Sequence, residues 1–206
     1  MTPPAILVIA KDPQPGRCKT RLCPPCSPEQ AAGLAAAALQ DTLDVATSVP
    51  AQRRILVLEG DSRRWQRPGW QVIAQRGDGL AERLANAFAD AEGPALLVGM
   101  DTPQLTAALL IEGQQALDRF DAVLGPALDG GYWSVGLRCG HPDAFAGVPM
   151  SSESTLRHQR ARFSQLSLRT HEQARLRDVD TIADAHAVAA QAPGSRFARA
   201  LRELGR

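Results

Sequence analysis

Four strand-length apolar runs, set apart by segments of helical periodicity, constrain this chain more than any other feature. They are Ala5–Ala10 (Ala-Ile-Leu-Val-Ile-Ala), Arg54–Glu59, Ala95–Gly99 and Asp121–Pro126. Their apolar residues run on without alternation, the pattern of strands covered on both faces, and such strands belong to parallel sheets whose crossovers are helices. The helical segments carry their own signals. Ser27-Pro28-Glu29-Gln30 supplies an N-cap, a proline in the first turn and a capping-box partner, and apolar positions then recur at Ala31, Leu34, Ala35, Ala38, Leu39, Val45 and Ala46. Leu80, Leu84, Ala87, Phe88 and Ala91 mark a second amphipathic helix, and 104–117 a third. Gln71–Gln75 and Tyr132–Leu137 read as further strands. Beyond Leu137 the expected order is a helix over 154–162, a strand over 165–169, and helices after Thr181 and after Ser195. The fold class is α/β: one domain over 1–206 with a mostly parallel central sheet flanked by helices.

Charge and cysteine usage narrow the function. The 23 Lys+Arg and 22 Asp+Glu leave a net charge of +1. No global field exists to attract nucleic acid or an anionic membrane, so any anion site has to be local. No apolar stretch approaches the roughly 20 residues of a membrane span, and no signal-peptide pattern precedes the first strand. Cys18, Cys23, Cys26 and Cys139 do not make a disulfide framework in a chain this long, which points to a cytoplasmic protein.

Ligand sites of parallel sheets form at the carboxyl ends of the strands. After the first strand comes Lys11-Asp-Pro-Gln-Pro-Gly-Arg-Cys-Lys-Thr-Arg-Leu22, which holds both lysines of the chain, Lys11 and Lys19, together with Arg17 and Arg21. This clustering suggests side-chain cations for phosphates; the competing reading is a solvated turn. It is not a P-loop, because Pro13 and Cys18 stand where glycines must let the backbone wrap the phosphates. It carries no Gly-x-Gly-x-x-Gly dinucleotide fingerprint either.

Asp101 follows the run ending at Gly99, and Asp178-Val-Asp180 places two carboxylates on one side of an extended segment. Both suit Mg²⁺ or Mn²⁺, which seek oxygen and bridge to phosphate. Both also suit helix caps, Asp101 for a helix near Gln104, and Asp180 or Thr181 with Asp184 for a later one. Asp129-Gly130-Gly131-Tyr132 is a tight connection that either turns the chain or admits a ligand close to the backbone. Cys23-Pro-Pro-Cys26 before a helix raises a redox pair as a rival function.

Taken in order, Lys11-x-Pro-x-Pro-Gly-x-x-Lys-Thr-Arg-Leu22, Gly99-x-Asp-x-Pro103, Gly125-Pro-x-x-Asp-Gly-Gly-Tyr132 and Asp178-Val-Asp-Thr181 resemble a bacterial family of GT-A-type glycosyltransferases, sometimes linked to arsenosugar biosynthesis. That family is similar to phospholactate guanylyltransferases and, more remotely, to molybdopterin-cofactor guanylyltransferases. The resemblance spans Ile6 to about Asp184. It implies a nucleotide-diphosphosugar-transferase (GT-A, Rossmann-like) fold and a metal-dependent transfer from a nucleotide-activated small-molecule donor to a small-molecule acceptor. Glycosyl transfer comes first and nucleotidyl transfer to a phosphorylated acceptor second, with a non-catalytic nucleotide-binding protein behind both. By position it implies Lys11, Gly16, Lys19, Thr20 and Arg21 at the phosphates and Gln75, Gly77, Leu80 and Arg83 on the nucleotide side. Mg²⁺ or Mn²⁺ would sit on Asp101, Asp178 and Asp180. Asp129, Gly130, Gly131 and Tyr132 would face the acceptor, with Lys19, Asp101 and Asp129 catalytic. Two departures stand out: Ala81 where the family often has Gly, and Met150-Ser-Ser152 where it often has a Trp-Ser-Thr-like segment.

Overall fold

In the computed structural model, which describes residues 2–204, seven strands share one sheet. They are β1 (Ala5–Lys11), β2 (Arg54–Glu59), β3 (Gln71–Ala74), β4 (Ala95–Gly99), β5 (Ala122–Pro126), β6 (Tyr132–Leu137) and β7 (Thr170–Glu172). Their spatial order is β3-β2-β1-β4-β6-β5-β7. Every neighbouring pair is parallel except the two made by β6, which runs antiparallel to both β4 and β5. The carboxyl ends of β1, β2, β4 and β5 therefore meet the start of β6 along one rim.

The unbroken apolar character of the runs is explained by two cores, one on each face. Ile6 and Val8 of β1 point to one side, where they join Ala35, Leu39 and Leu43 of α1 (Pro28–Ser48) and Leu110 of α3 (Ala107–Ala116). Leu7 points to the other side, among Leu84 and Phe88 of α2 (Leu80–Ala91) and Leu156 and Phe163 of α4 (Thr155–Gln165). A third cluster packs the outer face of α1 against α5 (Ile182–Gln191) and α6 (Arg196–Leu204) through Leu34, Ala38, Val188, Phe197 and Leu201. Leu22 and Val179 belong to this cluster. Both are chain neighbours of rim residues, so the core reaches directly under the rim.

Several boundaries differ from the sequence expectation, two of them where the structure explains the change. The last strand is Thr170–Glu172, not 165–169, because α4 continues to Gln165 and Ser167 (φ 57°) then reverses the chain. Thr-His-Glu has no apolar pattern of its own; its strand state comes from parallel pairing with β5. The third helix starts at Ala107 rather than at 104, since the Thr106 hydroxyl accepts from the Leu109 amide as its N-cap. Asp101 is therefore not a cap. The helix after Thr181 is capped as read, with a complete capping box between Thr181 and Asp184.

Leu7 is fully buried in the central strand, and truncation there leaves a cavity that the flanking helices cannot close. Leu7→Ala should lower unfolding stability by about 3 kcal/mol with an unchanged denaturant m-value, measured by urea titration.

Candidate functional site

The first half of the site is built by the loop after β1. Asp12 turns inward there: its carboxylate is buried, accepting from the Trp65 indole N–H at 2.8 Å and from the Gln14 amide at 3.0 Å. Burial raises its pKa, but these two bonds and Arg64 outweigh that, and the carboxyl lies below its ordinary value. Gly60 (φ 120°) permits the close approach, since a Cβ there would lie 2.6 Å from that of Asp12. Nothing local in the sequence marks Asp12 and Trp65 as partners, because they stand 53 residues apart.

So anchored, the loop carries Lys19 in a left-handed conformation (φ 48°, ψ 37°) just before a short 3-10 turn over Thr20–Leu22, whose Leu22 is buried. The side chain of Lys19 is only 12% exposed and its ammonium meets Asp101 at 2.9 Å and Asp180 at 3.3 Å. It also donates to the Val179 carbonyl. Burial by itself lowers the Lys19 pKa; Asp101 and Asp180 overcome that and raise it above the ordinary lysine value. Arg21 bonds the other oxygen of Asp180 at 3.1 Å.

The second half comes from the segment before α5. Leu176 pairs with the stretch after β5, its amide donating to the Pro126 carbonyl and its carbonyl accepting from the Leu128 amide, each at 3.0 Å. The Arg177 carbonyl accepts from the Gln104 side chain at 2.6 Å and the Val179 amide donates to the Asp101 carbonyl at 2.9 Å. Val179 is buried, so the carboxylates on either side of it are held toward the rim. Asp178 and Asp180 thereby meet Asp129, and the three residues each offer an oxygen within 4.8 Å of the others.

Asp129 reaches this group from the β5–β6 connection. Its Oδ1 accepts from the Gly131 amide at 2.7 Å. Gly130 (φ 89°) passes so near the Glu153 carbonyl that a Cβ there would come within 2.1 Å of it. The resemblance implies Asp101, Asp178 and Asp180 on the metal and Asp129 at the acceptor; in the structure Asp129 lies with Asp178 and Asp180, and Lys19 pairs with both Asp101 and Asp180. An all-oxygen, multiply charged donor set of this kind suits a hard divalent cation such as Mg²⁺ or Mn²⁺. Burial, then Asp129, then Asp180 push the Asp178 carboxyl up to about 6, a repulsion that a bound cation relieves.

Two adjoining cavities flank the carboxylates. The larger, of about 660 Å³, is lined by Lys11, Arg17, Lys19 and Arg21 and by Gln75 and Arg83. The smaller, of about 310 Å³, is lined by Asp129, Asp178, Thr102 and the 150–152 segment. Arg21, Asp101, Asp180 and Ser151 border both.

On the outer wall of the larger cavity several expected contacts are already committed within the protein. The Gln75 amide donates to the carbonyls of Ala10 (2.7 Å) and Val57 (3.2 Å), and Arg83 bonds Glu59 and the Gln75 oxygen. Gly77 (φ 121°) lies against Glu82, so a Cβ there would be 2.6 Å from the Glu82 Cβ. These residues shape the wall. The exposed cations facing it are Lys11, 3.7 Å from Glu59 in a loose pair, Arg17, and Arg21, which also bonds Asp180. Glu59 is the partner the sequence reading had not named. Of the Cys23/Cys26 pair, Cys26 is buried in the α1–α6 cluster, and burial followed by Cys23 raises its pKa, which disfavours its thiolate.

The profile of a family described as "Uncharacterized protein conserved in bacteria" (DUF2064) matches residues 35–152. The chain belongs to this family. No curated protein matches it. Among solved structures, a candidate nucleotide-diphospho-sugar transferase from Desulfovibrio desulfuricans G20 is 28% identical and superposes with a TM-score of 0.89, over 98% of this chain and 95% of that one. CMP:2-keto-3-deoxy-manno-octonic acid synthetase complexed with CTP (15% identity, TM-score 0.57, 92% and 98% coverage) shares the fold. So does the manganese complex of Rv0371c from Mycobacterium tuberculosis H37Rv (18%, 0.52, 91% and 98%). The α/β architecture is thus that of nucleotide-diphospho-sugar transferases and nucleotidyltransferases.

The raised carboxyl of Asp178 has a consequence for the metal-free protein. A carboxyl whose folded pKa exceeds its ordinary 3.8 stabilises the fold fully below about pH 4, and this contribution is lost as the pH rises through about 6. Asp178→Asn should therefore unfold with about 1–2 kcal/mol more stability than the parent at pH 7 in EDTA, a range that allows for solvent screening. At pH 4 the difference should vanish. Urea titrations at the two pH values measure both.

Proposed function

We propose that this DUF2064 protein is a divalent-metal-dependent transferase that uses a nucleotide-activated donor, and that the group it moves is a glycosyl unit. The observation that carries the reading is the meeting of Lys19, Asp101 and the Asp129/Asp178/Asp180 group at the border of the two cavities, on the rim where such sheets bind ligands. The donor lies in the larger cavity, its phosphates toward Lys11, Gly16, Arg17, Thr20 and Arg21. The acceptor lies in the smaller one, toward Asp129, Gly130, Gly131 and Tyr132. Asp178, Asp180 and Asp129 hold Mg²⁺ or Mn²⁺, with Asp101 beside them. When bound, the cation neutralises the donor's phosphates and the charge that grows on the leaving group.

The chain's own groups supply the rest. Lys19, held cationic by Asp101 and Asp180, stabilises the departing diphosphate, and Arg21 and Arg17 share that charge. The walls built by Gln75, Gly77 and Arg83 fix the nucleotide against the rim and so supply orientation. In the transfer, an acceptor hydroxyl oxygen bonds to the anomeric carbon of the donor. The bond from that carbon to the phosphate oxygen breaks, its electron pair leaving with the nucleoside diphosphate. The hydroxyl proton is released to solvent through the smaller cavity.

A second reading is favoured by the number of cations on the β1 loop and by the similarity of the resembled family to guanylyltransferases. In it a nucleoside triphosphate is the donor and pyrophosphate leaves. The same electrostatics serve both, and phosphorus NMR of the products separates them.

Saturating nucleotide sugar with Mn²⁺ should raise the melting temperature by roughly 5 °C, following RT ln(1 + [L]/Kd). Asp180→Asn should remove the Mn²⁺-dependent part of that shift while the variant still folds. No shift from any nucleotide, with or without metal, would remove the basis of the proposal. Lys19→Met should reduce turnover by about 10²-fold or more, read from nucleoside diphosphate release.

A further inference from the structure

The three carboxylates that meet on the rim are not equally placed to take a cation. Among the described residues neither Asp129 nor Asp178 forms an ion pair, whereas both oxygens of Asp180 are engaged, Oδ1 by Lys19 at 3.3 Å and Oδ2 by Arg21 at 3.1 Å. A divalent ion that joins Asp180 comes up against two positive side chains, and like charges at this range repel even where water screens them. While both cations stay, Asp180 is the member of the group least able to bind a metal.

The two cations differ in what holds them. Lys19 is 12% exposed, meets Asp101 more closely (2.9 Å) than Asp180, and donates to the Val179 carbonyl, so it keeps two partners if it gives up the third. Arg21 is 76% exposed, and Asp180 is its one side-chain partner among the described residues. An exposed pair of this kind is held weakly. Arg21 also borders both cavities, so a phosphate entering the larger one on the side of Lys11 and Arg17 competes with Asp180 for the same guanidinium. The guanidinium fork makes a single bond to Asp180, whereas phosphate oxygens can take it in a bidentate grip.

We propose that Arg21 couples the donor to the metal. Phosphates in the larger cavity draw its guanidinium away from Asp180 Oδ2, and the freed carboxylate joins Asp129 and Asp178 in holding the divalent cation. Lys19 stays on Asp101 throughout. Arg21 is thereby a positioning residue for the metal group as well as a phosphate contact, and by linkage the cation in turn strengthens the hold on the donor. The inference rests on the transferase reading above, in which the larger cavity takes the donor's phosphates and the three carboxylates take the metal. It deepens that reading by making the two binding events depend on each other through one side chain.

The test begins with Mn²⁺ alone, its binding to the whole protein followed by the electron paramagnetic resonance signal of the free ion. Arg21→Gln should bind Mn²⁺ about fivefold or more tightly than the parent. Arg17→Gln removes an equal charge from the wall of the larger cavity without breaking an ion pair, and should match the parent within about twofold. Damage to the site would weaken metal binding, so a gain in Arg21→Gln is not a folding artefact. Unchanged or weaker binding in Arg21→Gln, or equal tightening in Arg17→Gln, overturns the inference. The second arm measures inorganic diphosphate by calorimetry in EDTA. Asp180→Asn releases Arg21 and should tighten diphosphate about threefold or more, and in the Arg21→Gln background the same substitution should change it by less than about twofold. No gain from Asp180→Asn in the parent, or an equal gain in both backgrounds, overturns the exchange. Absence of Mn²⁺ binding in the parent and both arginine variants, or of diphosphate binding throughout, overturns instead the reading beneath, so the two failures are distinguishable.

Discussion

The site depends on one buried cation. The ammonium of Lys19 joins three parts of the chain that are far apart in sequence: the loop after β1, Asp101 at the end of β4, and Val179–Asp180 before α5. Taking a lysine out of water is costly, and here the cost is offset by two carboxylates and a backbone carbonyl. Removing one partner would leave the others as uncompensated charges, so the arrangement is held together as a unit. It also sets the electrostatics of the rim. With Lys19 bound to Asp101 and Asp180, the acidic excess remains on the side of Asp129 and Asp178.

That asymmetry divides the cleft. Toward the β1 loop the wall presents Lys11 and Arg17; toward the β5–β6 connection it presents carboxylates and hydroxyls. The wall around Gln75, Gly77 and Arg83 works differently from what a list of polar residues suggests. Its hydrogen bonds are directed inward, to Ala10, Val57 and Glu59, and they stiffen the ends of β1 and β2. Rigid walls of this kind suit a site that has to hold two substrates in register.

The same economy is visible beneath the rim. Leu22 and Val179, immediate or near neighbours of Arg21 and Asp180, are buried in the cluster formed by α1, α5 and α6. The terminal helices therefore contribute to the site without lining it, because they fix the backbone from which its charged side chains project. Asp12, Trp65 and Gly60 do the corresponding work on the opposite side of the loop.

Much of this was present in the sequence. The uninterrupted apolar runs determined strands covered on both faces, and their separation by amphipathic helices determined a mostly parallel sheet. Two lysines in one loop, and aspartates at the ends of other strands, marked the rim because strand ends and turn residues are local properties. What the tertiary structure decided was which of those charges meet. Asp178 and Asp180 join Asp129 because Leu176 pairs with the segment after β5. Lys19 takes Asp101 because Val179 is pinned to the end of β4. The state of Thr170–Glu172 and the buried Asp12–Trp65 bond likewise rest on partners tens of residues away. Periodicity and turn chemistry act over a few residues, whereas the pairing of carboxylates with a cation depends on where the packed core carries their backbones.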